Sequence, residues 1–191
     1  MDRAGNLLGA LALVVSDRMV DAVEDTAHQS VTTATALSSL HHFLDAPSVD
    51  LLRQVLGLTS SGTVRLVDRL EQAGYVRRRP GRDGRTTSVV LTASGRRVAA
   101  RVAAARAEVL DGALSVLPRT QRREFEANLS RVLVGLMRGP GATRWMCRLC
   151  DTSVCGRTRG ECPVANEASR RYGGPTSDPS ASASRSSKSA G

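Results

Sequence analysis

Apolar residues recur every three or four positions through most of the first 137 residues, which is the spacing of one face of an α-helix. Between residues 6 and 25, for example, Leu7, Leu11, Val14 and Val15 follow this spacing. Glycine and proline residues interrupt the pattern at places that suit helix ends. The pattern predicts six helices, at residues 6–25, 30–43, 49–56, 60–73, 93–117 and 120–137.

A different pattern separates the fourth and fifth predicted helices. Residues 75–79 (YVRRR) and the β-branched run at residues 86–92 (TTSVVLT) flank the turn-forming residues Pro80, Gly81 and Gly84. These features predict an antiparallel hairpin with arginines at its tip. We therefore expect a mainly α fold with one small β-hairpin.

The two short helices before the hairpin form a characteristic pair. Residues 49–56 and 60–73 are joined by a turn that contains Gly57, which is typical of a helix-turn-helix. With a basic hairpin directly after it, this pair predicts a winged helix, in which the second helix enters the major groove of DNA and the hairpin, or wing, reaches the adjacent minor groove. Taken alone, the second helix is better explained as an amphipathic surface helix with a solvated charged face. The predicted DNA contacts are Ser60, Ser61, Gly62, Arg65, Arg69, Arg82, Asp83 and Arg85.

The distribution of charge supports a nucleic-acid partner. The chain has 191 residues and a formal net charge of +9. Residues 51–100 carry ten arginines and three acidic residues, whereas residues 1–50 carry two arginines and seven acidic residues. GC-rich codon usage explains why Lys188 is the only lysine, but it does not explain this clustering. Because only 3% of residues are aromatic, stacking on single-stranded nucleic acid is disfavoured, and double-stranded DNA is the expected partner.

Several classes of protein are disfavoured. No run of 18 apolar residues is present and no secretion signal is evident, so we expect a cytoplasmic protein without a membrane partner. No motif pairs a nucleophile with a base or two carboxylates with each other, so we expect no enzymatic activity.

Residues 58–95 (LTSSGTVRLVDRLEQAGYVRRRPGRDGRTTSVVLTASG) resemble the recognition helix and wing of MarR-type transcriptional regulators. The specific marks are LVDRLE followed by AG, then D-x-R at Asp83 and Arg85, then LTxxG ending at Gly95. The resemblance implies a homodimer that binds a pseudo-palindromic operator, with the first and the last two helices in the dimer interface. It also implies that Asp83 pairs with an arginine and that Arg85 enters the minor groove. Members of this family usually repress nearby genes, and many release DNA when a small molecule or an oxidant acts.

The chain continues for about fifty residues beyond the end of a typical family member, and this extension holds all four cysteines. Their spacing, C-x2-C-x4-C-x6-C, places Cys147, Cys150, Cys155 and Cys162 within sixteen residues, so they can converge on one metal. The first two spacings and the polar loop slightly favour structural zinc, whereas the final Cys-Pro pair resembles the last ligand of an iron–sulfur cluster. Unrelated thiols or two disulfides remain the alternative. Nearby arginines lower thiol pKa values, which makes metal-free cysteines candidates for oxidant sensing.

These features predict a winged helix-turn-helix with a helical dimerisation region. The expected parts are an N-terminal dimerisation helix at 1–30, a DNA-binding domain at 31–95, dimerisation helices at 96–138, a cysteine segment at 139–172 and a disordered tail at 173–191. The expected function is a sequence-specific repressor that responds to redox, metal or a small molecule. The alternative is a metal-binding protein-interaction module on a winged-helix scaffold that no longer binds an operator. Arginines at positions 65, 82 and 85 favour the first hypothesis, since a scaffold that had lost DNA binding would not need them.

Overall fold

The computed structural model describes residues 1–28, 30–81, 86–139 and 141–173, apart from the side chains of residues 26 and 27. Over these ranges the chain forms helices, one two-stranded sheet and a single turn of 3-10 helix. The elements are α1 (Arg3–Ala27), α2 (Val31–His42), α3 (Val49–Leu56), α4 (Ser60–Gln72), β1 (Val76–Pro80), β2 (Thr87–Leu91), α5 (Ala93–Leu114), α6 (Arg119–Gly135), α7 (Ala142–Met146), the 3-10 turn (Arg157–Arg159) and α8 (Pro163–Tyr172). The predicted mainly α fold with a hairpin is confirmed, whereas α7 and α8 were not predicted.

Local capping explains why the helix-turn-helix begins and ends where the sequence indicates. The Ser48 hydroxyl accepts from the Leu51 amide at the start of α3, and the Thr59 hydroxyl accepts from the Gly62 amide at the start of α4. Gly57 ends α3 with φ of 66°, a left-handed conformation that glycine adopts without strain. The turn is therefore fixed by residues within it.

The hairpin is tied to the start of α5. Strands β1 and β2 are antiparallel, with Val76 opposite Leu91 and Pro80 opposite Thr87. The Thr92 hydroxyl caps α5 and also donates to the Gly74 carbonyl at 2.6 Å. Gly95 lies so close to β1 that a Cβ there would be 1.9 Å from the Tyr75 carbonyl oxygen. The LTxxG motif is thus the junction between the hairpin and α5.

The main core lies under the helix-turn-helix. Its largest fully buried side chains include Leu37 of α2, Leu52 of α3, Leu66 of α4, Val89 of β2 and Val102 of α5. Because one core joins these five elements, α4 and the hairpin are held in a fixed relation to α5.

Helices α1 and α6 leave apolar side chains in solvent in the single chain. Helix α6 has no buried residue in the single chain. A helix that is apolar on an uncovered face needs another surface to pack against. None of the described helices is long and apolar enough to cross a membrane. The exposed residues are Leu7, Leu8, Leu11, Leu13 and Val14 on α1 and Leu129, Val132, Leu133 and Leu136 at α6.

A second, smaller core organises the chain after α6. It contains Met137, Ala142, Cys147, Cys162, Val164, Ala165 and Ala168, with Phe43 from the end of α2 packed against it. We call residues 137–172 the cysteine module. The predicted disorder of residues 173–191 lies, apart from Gly173, outside the described residues.

Candidate nucleic-acid interface and cysteine cluster

Helix α4 presents a small polar and basic surface to solvent. Ser60, Ser61, Arg65 and Arg69 are exposed, and Gly62 is half-buried. Thr63, Leu66, Val67 and Leu70 are buried on the opposite side. The five predicted contact residues on α4 therefore share the solvent side of the helix.

The amino end of α4 is open to an anion. The Gly62 amide is taken by the Thr59 hydroxyl and the Thr63 amide by the Thr59 carbonyl. The amides of Ser60 and Ser61 have no acceptor among the described residues. Free amides and the positive end of the helix dipole favour a phosphate at this position.

Val64 lies among the exposed residues of α4. It is 45% exposed, next to Arg65, whereas Thr63 is fully buried. The Thr63 hydroxyl donates to the Thr59 carbonyl at 2.9 Å, so it loses no hydrogen bond on burial. An exposed valine beside an arginine can contact a thymine methyl group.

Arg78 connects the wing to α4. Its guanidinium binds Glu71 and Asp68, the latter at 2.5 Å, and its amide donates to Glu71 at 2.9 Å. The backbone and side-chain hydrogen bonds from Arg78 hold the pKa of Glu71 below its ordinary value. The sequence analysis missed this arrangement, which engages Asp68 within the protein. Side chains alternate between the two faces of a strand, so Arg78 lies on the opposite face of β1 from the exposed Arg77 and Arg79. This alternation could have indicated that Arg78 has a different role.

Four other arginines of this surface have no acidic partner in the part of the chain that the structure describes. Arg65, Arg69, Arg77 and Arg79 form no ion pair with any residue that the structure describes. The wing-tip residues Arg82, Asp83 and Arg85 lie outside the described residues, so their predicted contacts remain predictions.

The structure brings the four cysteines together as free thiols. Cys147 and Cys162 are buried, and Cys150 and Cys155 are half-buried. The thiol of Cys147 interacts with those of Cys150 and Cys162, and the thiol of Cys155 interacts with that of Cys162. Within the described ranges, no three His, Cys, Asp or Glu side chains are already arranged around one metal position. The donor set is nevertheless one that suits a soft metal.

The thiols have different acidities because of these contacts. The hydrogen bond from Cys147 lowers the pKa of Cys162 to about 5 and that of Cys150 to about 7. The same two contacts raise the pKa of Cys147, which is the donor. Burial raises the pKa of Cys155. Cys150 and Cys162 are therefore the thiols that ionise first.

The cysteine module docks on the helix-turn-helix as well as on α6. Helix α8 packs against α6 and α7 against α3. The Ser39 hydroxyl of α2 donates to the Arg148 carbonyl at 2.7 Å, and the Thr152 hydroxyl donates to the His42 carbonyl at 2.8 Å. The Arg157 guanidinium lies 5.2 Å from the centre of the Phe43 ring.

Comparison with known proteins supports the winged-helix interpretation. Residues 30–86 match the model of the MarR family. The transcription regulator MepR of Staphylococcus aureus aligns over 72% of this chain and 100% of its own, with 18% identity and a TM-score of 0.60.

Two further solved structures are similar. The Mycobacterium tuberculosis MarR-family protein Rv2887, in complex with DNA, aligns over 69% of this chain and 98% of its own (23% identity, TM-score 0.55). CouR of Rhodococcus jostii, bound to p-coumaroyl-CoA, aligns over 72% of this chain and 96% of its own (21% identity, TM-score 0.54). No curated protein matches the sequence.

Proposed function

We propose that this chain, a transcription regulator with the winged helix of the MarR family, is a cytoplasmic repressor that binds a pseudo-palindromic operator as a homodimer. Its fold is that of regulators and not of an enzyme. The observation that carries the proposal is the exposed surface of α4. Two free amides, Arg65 and Arg69 lie there without any partner among the described residues. That combination suits phosphate at the helix end and a base edge one turn further along.

The dimer is supported by the uncovered apolar faces of α1 and α6. Nine large apolar side chains on these helices are at least 37% exposed. A symmetric dimer that covers them would place two α4 helices in successive major grooves. We infer that the dimer is the DNA-binding species.

We further propose that the four cysteines bind zinc. The thiol of Cys147 interacts with those of Cys150 and Cys162, and a single tetrahedral ion likewise gathers its sulfur ligands around one point. In an iron–sulfur cluster the cysteines bind different iron atoms, so their sulfur atoms lie further apart. Bound zinc would tie Cys147 and Cys150 to Cys155 and Cys162.

A DNA-selection experiment tests the regulatory function. Purified protein selects duplexes from a random-sequence library, and the enriched duplex is footprinted and placed upstream of a reporter. We expect two protected half-sites about one helical turn apart and lower reporter expression when the protein is present. A single half-site, or no enriched sequence, contradicts operator binding by a dimer. Higher reporter expression when the protein is present contradicts repression but not operator binding.

Metal analysis tests the zinc proposal. Protein purified anaerobically should contain one zinc per chain and lack visible absorbance. A variant with serine at Cys147, Cys150, Cys155 and Cys162 is the matched control and should contain none. Iron with visible absorbance, or no metal in the parent, contradicts the proposal.

A further inference from the structure

Arg144 connects the cysteine module to the first helix of the helix-turn-helix. It lies in α7, which packs against α3, and its Nη1 donates to the side-chain oxygen of Gln54 at 2.8 Å. The Gln54 amide nitrogen donates to Asp50 at 2.7 Å, which leaves the Gln54 oxygen to accept from Arg144. Both Gln54 and Arg144 are exposed. The guanidinium is therefore held at the surface, and most of its five N–H groups have no acceptor among the described residues.

Positive charge exceeds negative charge around this contact. Asp50 is the only acidic residue of α3, and it accepts from Arg53 at 2.8 Å as well as from Gln54. These hydrogen bonds, that from Arg53 first, hold the pKa of Asp50 below its ordinary value. Because Asp50 is already matched by Arg53, the charge of Arg144 is not offset by α3.

The cysteine module does not offset this charge either. Its three acidic residues have partners within the module: Asp151 accepts from Ser153, Glu161 pairs with Arg159, and Glu167 pairs with Arg170 and Arg171. Arg144 forms no ion pair with any residue in the described ranges. An anion from outside the protein can thus bind Arg144 without displacing a carboxylate.

The position of Arg144 is next to the surface proposed to bind DNA. Asp50, Gln54 and Gly57 are exposed along one side of α3 and its end, opposite the buried residues of this helix. This side leads to the amino end of α4, where the amide of Ser60 has no acceptor among the described residues. In a helix-turn-helix the first helix crosses the DNA backbone while the second enters the major groove. A phosphate beside Gln54 would therefore neighbour the phosphate at the start of α4.

We propose that Arg144 is a further DNA-contact residue, which binds a backbone phosphate beside the one bound at the amino end of α4. This inference rests on the proposed operator binding. A guanidinium binds a phosphate through two parallel, charge-assisted hydrogen bonds. Because Gln54 already holds the side chain, binding orders Arg144 at little further cost in entropy. The cysteine module thereby extends the interface of the winged helix with a contact that adds affinity but no base preference.

The test compares Arg144→Gln with two variants of the full-length protein. Arg144→Lys keeps the charge at the same position. Arg170→Gln removes the same charge from an exposed position of α8, which packs against α6. Circular dichroism and sedimentation velocity establish that each variant keeps the helical content and the oligomeric state of the parent. Affinity for the duplex selected by the parent is then measured between about 50 and 200 mM salt, and ethylation interference identifies the phosphates that each protein needs.

Arg144→Gln should bind the selected duplex more weakly and with a smaller salt dependence. Each phosphate contact contributes about 0.9 to the slope of log affinity against log salt, so two contacts per dimer contribute about 1.8. From 50 to 200 mM salt, the affinity of Arg144→Gln should therefore fall roughly tenfold less than that of the parent. Ethylation of one phosphate per half-site should weaken the parent, Arg144→Lys and Arg170→Gln, but leave Arg144→Gln unaffected.

The contrary outcomes separate this contact from the proposed function. A salt dependence and an ethylation pattern of Arg144→Gln like those of the parent overturn the contact and leave operator binding intact. An equal loss of salt dependence in Arg170→Gln also overturns it, because overall charge would then account for the effect. A weaker Arg144→Gln that still needs every phosphate would assign Arg144 to bracing α3 and not to binding DNA. A parent that selects no duplex overturns both the contact and the proposed function.

Discussion

Individual arginines of the proposed DNA-binding surface have different environments, although the sequence presents them as one basic cluster. Arg78 is committed to Asp68 and Glu71, whereas Arg65 is exposed and has no ion-pair partner in the part of the chain that the structure describes. Only an arginine without an ion-pair partner in the protein can bind a base edge without first breaking an ion pair. Arg65 and Arg69 of α4 both meet this condition, and we expect Arg65, which lies nearer the amino end of the helix, to specify sequence.

Arg65→Ala should cost roughly 1–3 kcal/mol of binding free energy and relax base preference at one position per half-site. Arg85→Ala, at the wing tip, should weaken binding to all sequences and reduce the salt dependence, since Arg85 is expected to contact phosphate in the minor groove. Titration of base-substituted duplexes at two salt concentrations measures both. Arg123→Ala, at an exposed position of α6, is the control and should bind as the parent does. Uniform loss across all sequences from both test variants would contradict the assignment.

Cys150 and Cys155 form a natural pair for a pH experiment, because both are half-buried but their acidities differ. The pKa of Cys150 is lowered to about 7 by the hydrogen bond from Cys147, while burial raises the pKa of Cys155. In metal-free, reduced protein at pH 7, Cys150 should be alkylated by iodoacetamide several-fold faster than Cys155. Lowering the pH to 5 should slow the alkylation of Cys150, because it protonates the thiolate. Mass spectrometry of the modified peptides gives both rates, and equal rates at pH 7 would contradict the thiol network.

At the scale of elements, the junction between the wing and α5 depends on one close backbone approach. Gly95 leaves no room for a Cβ beside the Tyr75 carbonyl, whereas Gly112, further along the same helix, has no atom within 4 Å of that position. The two glycines therefore differ in environment but share a helix.

Gly95→Ala should lower the free energy of unfolding by about 1–3 kcal/mol, because the hairpin or α5 must shift to relieve the overlap. Gly112→Ala should raise it by roughly 0.5–1 kcal/mol, because glycine in a helix interior carries an entropic cost. Urea unfolding followed by circular dichroism compares the two variants. Parent-like stability of Gly95→Ala would show that the close approach is absent in solution.

At the scale of the whole molecule, α4 exposes a basic face, whereas α1 and α6 expose apolar faces. Leu133 of α6 is 42% exposed and Val64 of α4 is 45% exposed, so each can be replaced by Asp without burying charge in the single chain. Leu133 belongs to the exposed apolar face of α6, whereas Val64 lies on the exposed basic face of α4.

Leu133→Asp should favour the monomer, since a pair of buried carboxylates at the proposed interface would be costly. Val64→Asp should remain dimeric but lose DNA affinity, because it places negative charge beside Arg65. Sedimentation velocity at micromolar concentration gives the oligomeric state. A stable Leu133→Asp dimer would exclude the α6 face from the interface.

The sequence by itself determined the helix-turn-helix, the hairpin and the clustering of the cysteines. These features depend on interactions between residues that are a few positions apart in the chain, so the sequence pattern can be interpreted directly. Examples are the helix caps Ser48 and Thr59 and the turn residue Gly57. The bounds of α3 follow from such local features, and they agree with the structure at both ends.

The tertiary structure alone decided which polar residues form ion pairs within the protein and where the cysteine module docks. Exposure of Val64 and the pairing of Arg78 depend on which neighbours fold over them. The contacts between Ser39 and Arg148 and between Thr152 and His42 join residues 109 and 110 positions apart. A local pattern carries no information about such pairs, because their energy depends on two surfaces that meet only after each has folded.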